Sequence, residues 1–349
     1  MIKRRKSKVI QIGRVSVGGN NPITVQSMTK TDTRDAKATI RQIIELEECG
    51  CEIIRCAVPD MAAALALAAI KKKIKIPLIA DIHFDYRLAI AALDGGIDGL
   101  RLNPGNISEP EKVAAVVKKA KERSVPIRIG VNAGSLPKEA VPSGKTIPER
   151  MVEAALGHIK MLEDLDFDLI KVSLKAFDVP TTVEAYEKIA RKIPYPLHVG
   201  ITESGTTRQG MIRSGVGIGI LLNEGIGDTI RVSLTAYPTE EVYAGYEILK
   251  SISLRQHGPT LVSCPTCGRT EVNVVELAEK VEKYLARIDK PIKVAVMGCA
   301  VNGPGEAKDA DIGIAGGKGK FILFKKGEKV RMIEEDKALE ELIREIEGL

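Results

Sequence analysis

The sequence has no tryptophan and few other aromatic residues, with 5 phenylalanines and 7 tyrosines in 349 residues. Proteins that bind single-stranded nucleic acid use stacked aromatic side chains, so this scarcity argues against that class. The longest apolar run, residues 61–70, is too short to cross a bilayer. The start, MIKRRKSKVI, lacks the apolar stretch of a signal peptide, and 6 cysteines are too few for a disulfide scaffold. We therefore expect a soluble, cytoplasmic protein.

Composition and charge are those of a globular protein. Hydrophobic residues make up 44% of the chain and charged residues 28%, and 349 residues are enough for two domains. The net charge of +6 favours an acidic partner or an anionic substrate without identifying either. The basic segment at residues 3–6 is either a nucleic-acid arm or a solvated edge of the first strands, and we favour the second interpretation.

From residue 22, one unit repeats: a short β-branched strand, a loop and an amphipathic helix. The predicted strands are residues 23–28, 52–58, 77–83, 98–103, 126–132, 169–175, 196–202 and 229–234. Eight successive βα units are typical of a closed (β/α)8 TIM barrel, which is an α/β fold. A Rossmann fold would carry a GxGxxG motif after its first strand, and the sequence has none there. We place the barrel at residues 1–254, with an N-terminal β-hairpin in VIQIG and RVSVGG.

The glycine-rich stretch SGVGIGILLNEGIGD, residues 214–228, allows two interpretations. It resembles a phosphate-binding loop, and phosphate sites of TIM barrels often follow strands seven and eight. It also lies where the seventh helix must run, where glycine allows close packing. We favour helix packing.

A second domain is predicted at residues 255–349. After the short linker RQHGPT come a strand, a helix, two further strands, a β-hairpin and a last helix, which together make a compact α+β domain. Its cysteines are the most informative residues of the chain. Cys264 and Cys267 form a CxxC pair, and Cys299 stands beside a run of glycines in GCAVNGPGEA. Zinc ribbons normally close with a second CxxC or a histidine pair, which is absent here. We favour an iron–sulfur cluster with an unusual fourth ligand or an open iron over a structural zinc site.

Polar and charged residues mark the carboxyl ends of the predicted barrel strands, where TIM barrels build their active sites. Buried arginine and lysine need a counter-charge, and carboxylates are few here, so we expect an anionic substrate with phosphate groups. The strand-end residues are Arg55, Asp81, His83, Arg101, Asn103, Arg128, Asn132, Lys171, Ser173, Lys175, His198, Glu203, Arg231 and Ser233. Of these, Asp81, His83 and Glu203 are candidates for proton transfer. For Cys49, Cys51 and Cys56 we expect core packing.

The linker predicts the assembly. The eighth helix ends at the bottom of the barrel, so the linker would have to climb back along the barrel to reach the mouth. That climb is about 21 Å, the length of the helix, and the extended linker reaches only about 20–25 Å. No linker length is then left to cross the rim of the barrel. We therefore predict a head-to-tail homodimer in which the second domain caps the mouth of another protomer.

Several segments resemble the bacterial 4-hydroxy-3-methylbut-2-enyl diphosphate synthase family of the methylerythritol phosphate route to isoprenoids. The matching segments are PITVQSMT, ADIHFDYRLA, LRLNPGNI, IRIGVNAGSL, GDTIRVSL, CPTCGR and GCAVNGPGEA. They occur in order over nearly the whole chain, and the last two are highly specific.

The resemblance implies a [4Fe-4S] cluster held by Cys264, Cys267, Cys299 and Glu306. It implies reductive ring opening and dehydration of 2-C-methyl-D-erythritol 2,4-cyclodiphosphate to 4-hydroxy-3-methylbut-2-enyl diphosphate, with electrons from reduced flavodoxin or ferredoxin. In this hypothesis Glu203 supplies a proton, assisted by Asp81 and His83. The residues that hold the diphosphate are Arg55, Arg101, Asn103, Arg128, Asn132, Lys171, Ser173, Arg231 and Ser233.

Two other interpretations stay open from the residues alone. A zinc-containing phosphosugar or pterin-type barrel explains the strand-end cations but not GCAVNGPGE. A barrel scaffold with a zinc-ribbon nucleic-acid module explains the basic N-terminus but not the missing second CxxC.

Overall fold

The computed structural model describes residues 2–83, 85–102, 109–136, 144–299 and 307–349. The chain divides into two compact units, Met1–Arg255 and Gln256–Leu349, and each has its own hydrophobic core. No helix in the described part of the chain has the length and apolar character needed to span a membrane.

The first unit begins with a β-hairpin of β1 (Ile10–Ile12) and β2 (Val15–Val17), which pair antiparallel. Its apolar side chains pack against Ile53 and Ile79, which lie near the starts of two barrel strands and face the barrel interior. The hairpin therefore closes the amino-terminal end of the barrel, opposite the end where the strands finish.

A parallel sheet of eight strands forms the centre of this unit. The strands are β3 (Thr24–Met28), β4 (Ile53–Ala57), β5 (Leu78–Asp81), β6 (Gly99–Leu102), β7 (Ile127–Asn132), β8 (Ile170–Lys175), β9 (His198–Val199) and β10 (Thr229–Ile230). Their order is β8-β7-β6-β5-β4-β3-β10-β9, and a bridge between Val172 and Leu197 joins the two ends of that order. The predicted TIM barrel is confirmed.

The last two strands are shorter than the predicted spans 196–202 and 229–234. A Cβ built on Gly200 would lie 2.2 Å from the carbonyl oxygen of Arg231, so the backbones approach too closely for a regular ladder of ordinary residues. Arg231, Ser233 and Glu203 therefore stand on loop backbone beyond the sheet rather than on strands.

Helices surround the sheet and bury their apolar faces against it. They are α1 (Ala36–Glu48), α2 (Met61–Lys71), α3 (Tyr86–Asp94), α4 (Pro110–Glu122), α5 (Ile147–Glu163), α6 (Val179–Ala190), α7 (Thr207–Asn223) and α8 (Pro238–Ser251). Aspartate caps begin several of them, and Thr146 and Glu149 form a capping box at α5. The glycine-rich stretch is part of α7, where a Cβ on Gly217 would lie 2.6 Å from Ile201. Close helix packing explains that glycine, as predicted.

The second unit is a five-stranded mixed sheet covered by two helices. Its elements are β11 (Thr260–Ser263), α9 (Val274–Leu285), β12 (Lys293–Met297), β13 (Ile312–Gly317), β14 (Lys320–Lys325), β15 (Glu328–Glu334) and α10 (Ala338–Glu347). The first three strands are parallel and the last three antiparallel. Val281 and Leu342 of the two helices pack against Val294 and Phe321 of the sheet, which gives the predicted α+β arrangement.

Candidate active site

The interior of the barrel is unusually polar at its carboxyl-terminal half. TIM barrels normally fill this space with layers of branched apolar side chains. Here alternate residues of neighbouring strands place charged groups inside, because side chains along a strand point to opposite faces in turn. The buried interior residues with charged or polar groups include Arg55, Asp81, Arg101, Arg128, Lys171, Ser173, Lys175 and His198.

Asp81 is the centre of this charge network. One of its carboxylate oxygens lies 3.4 Å from Arg55 Nε and the other lies 3.0 Å from Arg101 Nη1. Burial alone raises the pKa of Asp81, but the neighbouring cations outweigh burial and hold this pKa at about 2. Asp81 is therefore ionised at neutral pH. It holds the two arginines in place and carries no proton to donate.

Arg128 is fixed by one short hydrogen bond, which its Nη1 donates to Ser173 Oγ at 2.6 Å. Burial lowers the pKa of Arg128, and the nearby Arg55 and Arg101 lower it further. Gly130, on the same strand as Arg128, makes room for Arg101, since a Cβ there would lie 3.0 Å from Arg101 Nε. Arg55 on β4, Arg101 on β6 and Arg128 on β7 thus bring three guanidinium groups into one space.

Several donors of these cations have no hydrogen-bond partner among the described residues. They are Arg101 Nε, Arg128 Nε, Arg128 Nη2, Lys171 Nζ and Arg231 Nε. Buried polar groups in native proteins are nearly always paired, so a set of unpaired cationic donors indicates a missing acceptor. An anionic ligand would supply such acceptors and would also offset this concentration of positive charge.

Lys175 belongs to the site, although the sequence-based set of diphosphate contacts left it out in favour of Lys171. Both lie on β8, where Lys175 is the last residue and 7% exposed, whereas Lys171 lies deeper and is 1% exposed. Burial lowers the pKa of Lys175 well below its usual value, and so do Arg128 and Arg231. The alternation Lys171-Ser173-Lys175 was the available signal, because the last of three inward residues lies nearest the mouth.

His198 lies beneath Lys175 and connects it to the next strand. Its Nε2 is 3.4 Å from Lys175 Nζ and its Nδ1 is 2.7 Å from Thr229 Oγ1. Burial lowers the pKa of His198, as do the surrounding cations, so the imidazole is neutral and accepts a hydrogen bond from the lysine.

Arg231 is partly paired with a carboxylate that the sequence did not single out. Its Nη2 lies 3.5 Å from Glu241 Oε2, and Glu241 also accepts hydrogen bonds from Ser27 Oγ and the backbone N–H of Leu234. Glu241 stands in the acidic first turn of α8, so nothing in the pattern separates it from its exposed neighbour Glu240.

The candidate proton-transfer residues outside this network lie at the rim. Glu203 is exposed, and its backbone has a φ of +55°, a left-handed conformation that is uncommon for residues other than glycine and clusters at functional sites. His83 is exposed as well. Partial burial lowers the pKa of His83 and so favours the neutral ring. Asp81 has the opposite, smaller effect on this pKa. Asn132 is half-buried at the end of β7, and Asn103 lies outside the described residues.

In the second unit, Cys264 and Cys299 lie close together. They follow β11 and β12, which are parallel neighbours, so both stand at the same edge of the sheet. The backbone N–H of Gly298 donates to Cys264 Sγ at 3.1 Å. Donation of this kind stabilises a thiolate or a sulfur bound to metal.

Cys267 is exposed and lies on the turn after Cys264. Hydrogen bonds to the backbone and side chain of Arg269 lower its pKa, which favours the thiolate that binds metal. Glu306 lies outside the described residues. Within the described ranges no three metal-binding side chains lie close enough together to form a metal site. The cysteines are therefore candidate ligands because of their thiol chemistry and their place at the sheet edge.

Two family profiles cover almost the whole chain. The profile described as GcpE TIM-barrel domain matches residues 7–246, and that described as GcpE protein C-terminal domain matches residues 260–348. The chain belongs to the GcpE family. Members of this family are iron–sulfur oxidoreductases of the methylerythritol phosphate pathway.

Close GcpE relatives carry a specific name. A protein of Dehalococcoides mccartyi is 68% identical over 349 residues, which cover 100% of both chains, and one of Geobacter sulfurreducens is 61% identical over 99% of this chain and 98% of its own. Both are named 4-hydroxy-3-methylbut-2-en-1-yl diphosphate synthase (flavodoxin).

Solved structures extend the comparison of the fold alone. The dihydropteroate synthase of Yersinia pestis matches with a TM-score of 0.51 at 12% identity, over 70% of this chain and 98% of that one. The enzyme of Stenotrophomonas maltophilia gives a TM-score of 0.51 at 13% identity, over 66% of this chain and 92% of that one. These likenesses are at the level of the barrel fold and carry no functional argument.

Proposed function

We propose that this protein catalyses the reductive ring opening and dehydration of 2-C-methyl-D-erythritol 2,4-cyclodiphosphate to 4-hydroxy-3-methylbut-2-enyl diphosphate. Its electrons come from reduced flavodoxin, the donor in the names of its close relatives, or from ferredoxin. Membership of the GcpE family over nearly the whole chain supports the assignment. The reaction takes place in the cytoplasm.

The observation that carries the proposal is the set of unpaired cationic donors inside the barrel. A diphosphate offers several anionic oxygens, and planar guanidinium groups bind such oxygens with paired hydrogen bonds. The proposed contacts are Arg55, Arg101, Asn103, Arg128, Asn132, Lys171, Ser173, Arg231 and Ser233, with Lys175 added because it lies nearer the mouth than Lys171. Fixed cations also stabilise the charge that develops on a departing phosphate oxygen.

We assign proton transfer to residues at the rim of the barrel, not to the buried charged residues. Glu203 is exposed at the rim, whereas the arginine pair keeps Asp81 ionised. We assign Glu203 as the proton donor, His83 as an assisting group, and Asp81 as the residue that positions Arg55 and Arg101. Of the three sequence-based assignments, the one for Asp81 changes from proton transfer to positioning.

The second unit would hold the redox group. Cys264, Cys267, Cys299 and Glu306 would ligate a [4Fe-4S] cluster, and the described cysteines fit this role. Two of them share one sheet edge, and the third has a lowered pKa. When bound, the cluster supplies electrons one at a time to the substrate. The Gly298 N–H donates a hydrogen bond to Cys264 Sγ and would stabilise negative charge on this sulfur when it binds metal.

A head-to-tail homodimer completes the proposed site. Arg255 Nη1 lies 2.8 Å from the carbonyl oxygen of Ile23 and 2.7 Å from Glu52 Oε2, and both partners directly precede barrel strands. The chain is thus anchored at the bottom of its own barrel. From Arg255 to Thr260 an extended chain reaches about 18 Å, less than the about 21 Å that α8 spans. This short reach supports capping of the mouth by the second unit of another protomer.

Anaerobically purified protein tests the proposal. It should be brown, contain iron and sulfide, and convert the cyclodiphosphate when reduced flavodoxin is present. A colourless zinc-containing protein, or an iron–sulfur protein that leaves this substrate unchanged, would overturn it.

Glu203→Gln tests the role of the rim carboxylate. Glutamine keeps the size and hydrogen-bonding capacity of the side chain but donates no proton at neutral pH. We expect turnover to fall by about 10²–10⁴-fold, the usual contribution of a general acid, while the substrate still binds. Wild-type turnover in this variant would remove Glu203 from the mechanism.

A further inference from the structure

Glu203, the proposed proton donor, lies on a short segment with a costly backbone conformation. Its φ is +55°, and Gly205, two residues later, has a φ of +108°. Glycine adopts such angles freely, whereas a residue with a Cβ keeps them only where its surroundings hold it there. Ser204, between the two, is fully buried, while Glu203 itself is exposed. The conformation of Glu203 therefore depends on the contacts of its neighbours in the chain.

Hydrogen bonds tie the segment down on both sides of Glu203. The backbone N–H of Thr202 donates to the carbonyl oxygen of Ala176 at 3.2 Å, directly after β8. Ser204 Oγ donates to the carbonyl oxygen of Ser233, on the loop beyond β10. The segment is thus attached to the ends of two barrel strands.

Arg213 of α7 holds the same segment from the side of the helix. Its Nη1 donates a hydrogen bond to the carbonyl oxygen of Ser204. Its guanidinium group lies over the ring of Phe177, with Cζ 4.2 Å from the ring centroid. Phe177 is 51% exposed and follows the end of β8 by two residues. A cation is attracted to the face of an aromatic ring, so Phe177 restricts where this guanidinium can lie.

A glycine brings α7 close enough for this contact. A Cβ built on Gly210 would lie 3.0 Å from Ser204 Oγ and 3.0 Å from the carbonyl oxygen of Gly205. Residues three apart share one face of a helix, so Arg213 projects from the same face as Gly210, one turn further along. The helix and the segment are therefore packed together at the point where Arg213 binds.

We infer that Arg213, supported by Phe177, is a positioning residue that holds Glu203 in the left-handed conformation from which it donates its proton. The inference rests on the proposed function and adds a residue to it. Without the bond to the Ser204 carbonyl, the chain is free to leave the costly conformation, and the Glu203 carboxyl moves from its place. A displacement of about 1 Å at a reacting group lowers a rate by as much as about 10²-fold.

Arg213→Met tests the inference in the full-length, cluster-loaded protein. Methionine keeps an unbranched apolar stem but donates no hydrogen bond to Ser204. We expect kcat for the cyclodiphosphate to fall about 10–100-fold while KM stays within about 2-fold. Arg213→Lys keeps a charged donor and should recover most of this loss. Arg123→Met is the matched control, because Arg123 pairs with the exposed Asp94 at 2.9 Å, and its kcat should equal that of the wild type.

Double variants separate positioning of Glu203 from a general structural role. In a Glu203→Gln background the proton donor is already absent, so Arg213→Met should lower kcat by no more than about 2-fold further. An equal loss in both backgrounds would overturn the inference, because Arg213 would then act through another group. Wild-type kcat in the single Arg213→Met variant would overturn it as well.

Phe177→Leu tests the same arrangement if Arg213→Met does not fold. This change removes the ring but no hydrogen-bonding group of the segment. It should lower kcat about 2–5-fold, the usual strength of an exposed cation–π contact, and should have no effect in the Glu203→Gln background. A kcat equal to that of the wild type, or the same loss in both backgrounds, would contradict the role of the pair.

Hydrogen exchange distinguishes this inference from the proposed function, because it needs no turnover. The Thr202 amide should exchange at least about 3-fold faster in Arg213→Met than in the wild type, since the segment opens more often. Unchanged exchange at Thr202 would refute the positioning role. A wild-type protein that binds its cluster and keeps slow exchange at Thr202, yet leaves the cyclodiphosphate unchanged, would instead refute the proposed function.

Discussion

The barrel and the second unit hold their candidate functional groups in different ways. In the barrel, the cations lie inside a closed sheet, where Arg128 is 4% exposed and hydrogen-bonded to Ser173. In the second unit, the cysteines follow the strand ends, and Cys267 is exposed on its turn. The proposed anion site is thus formed by barrel side chains alone, whereas the proposed cluster site would be completed by the metal group that it binds. Changes in the two places should therefore have different consequences.

The largest effect is expected from Cys299→Ser. A serine oxygen is a poor replacement for thiolate on iron, so iron and sulfide content should fall and turnover should drop to the assay blank. The thermal stability of the barrel and its binding of pyrophosphate should not change, because the anion site does not depend on the cluster.

Cys49→Ser is the matched control for that variant. Cys49 is an exposed cysteine of the barrel unit, distant in sequence from the CxxC pair, and the variant should keep both cluster and activity. If the Cys299→Ser protein kept its iron, or lost pyrophosphate binding together with it, the separation between the two sites would be wrong.

Asp81→Asn should have an intermediate effect, on the barrel alone. It removes the carboxylate between Arg55 and Arg101, and breaking a buried ion pair costs about 3–5 kcal/mol of unfolding free energy. Pyrophosphate should stabilise this variant more than the wild type, because it supplies the missing negative charge. Denaturant unfolding with and without pyrophosphate measures both effects. Asp94→Asn, which alters an exposed pair with Lys119, should cost less than about 1 kcal/mol.

The pH dependence of stability sharpens the same comparison. The folded-state pKa of Asp81 is about 2, below its value of about 3.9 in an unfolded chain. Its contribution, about 2.6 kcal/mol, is therefore present above pH 4 and disappears as the pH falls toward and below 2. The stability difference between wild type and Asp81→Asn should shrink over that interval. A difference that stays constant would show that charge is not its source.

The smallest effect is expected from Ser173→Ala. This change removes the 2.6 Å hydrogen bond that orients Arg128 but leaves every cation in place. We expect the KM for the cyclodiphosphate to rise about 3–10-fold with kcat nearly unchanged, which is the net contribution of one typical hydrogen bond. Ser214→Ala is the control, since Ser214 is a buried serine of α7 whose hydroxyl has no hydrogen-bond partner among the described residues. Steady-state kinetics of both variants would settle the point.

The sequence predicted the barrel because each strand is a short β-branched run followed by an amphipathic helix, and this periodicity reports burial directly. It predicted the polar interior less completely. Lys171 and Lys175 look alike in the sequence, and only their depth in the barrel separates them. Glu241 was not predicted, because its burial depends on how α8 packs against β3 and β10.

Roles that depend on neighbours were also hidden. Asp81 is a plausible proton donor as an isolated carboxylate, and its pairing with two arginines from other strands becomes visible only in three dimensions. The short β9 and β10 were missed for a similar reason, because they depend on the close approach of Gly200 to Arg231.

The hairpin of β1 and β2 has a consequence for how substrate and product would reach and leave the barrel interior. Ile10, Ile12 and Val17 pack against Ile53 and Ile79, so apolar side chains of the described residues close the lower end of the barrel beneath the charged interior. In the proposed function, substrate and product would therefore both reach and leave the cations from the carboxyl-terminal end of the barrel. A newly made diphosphate that still occupies the cations excludes the next molecule, so product is expected to inhibit competitively.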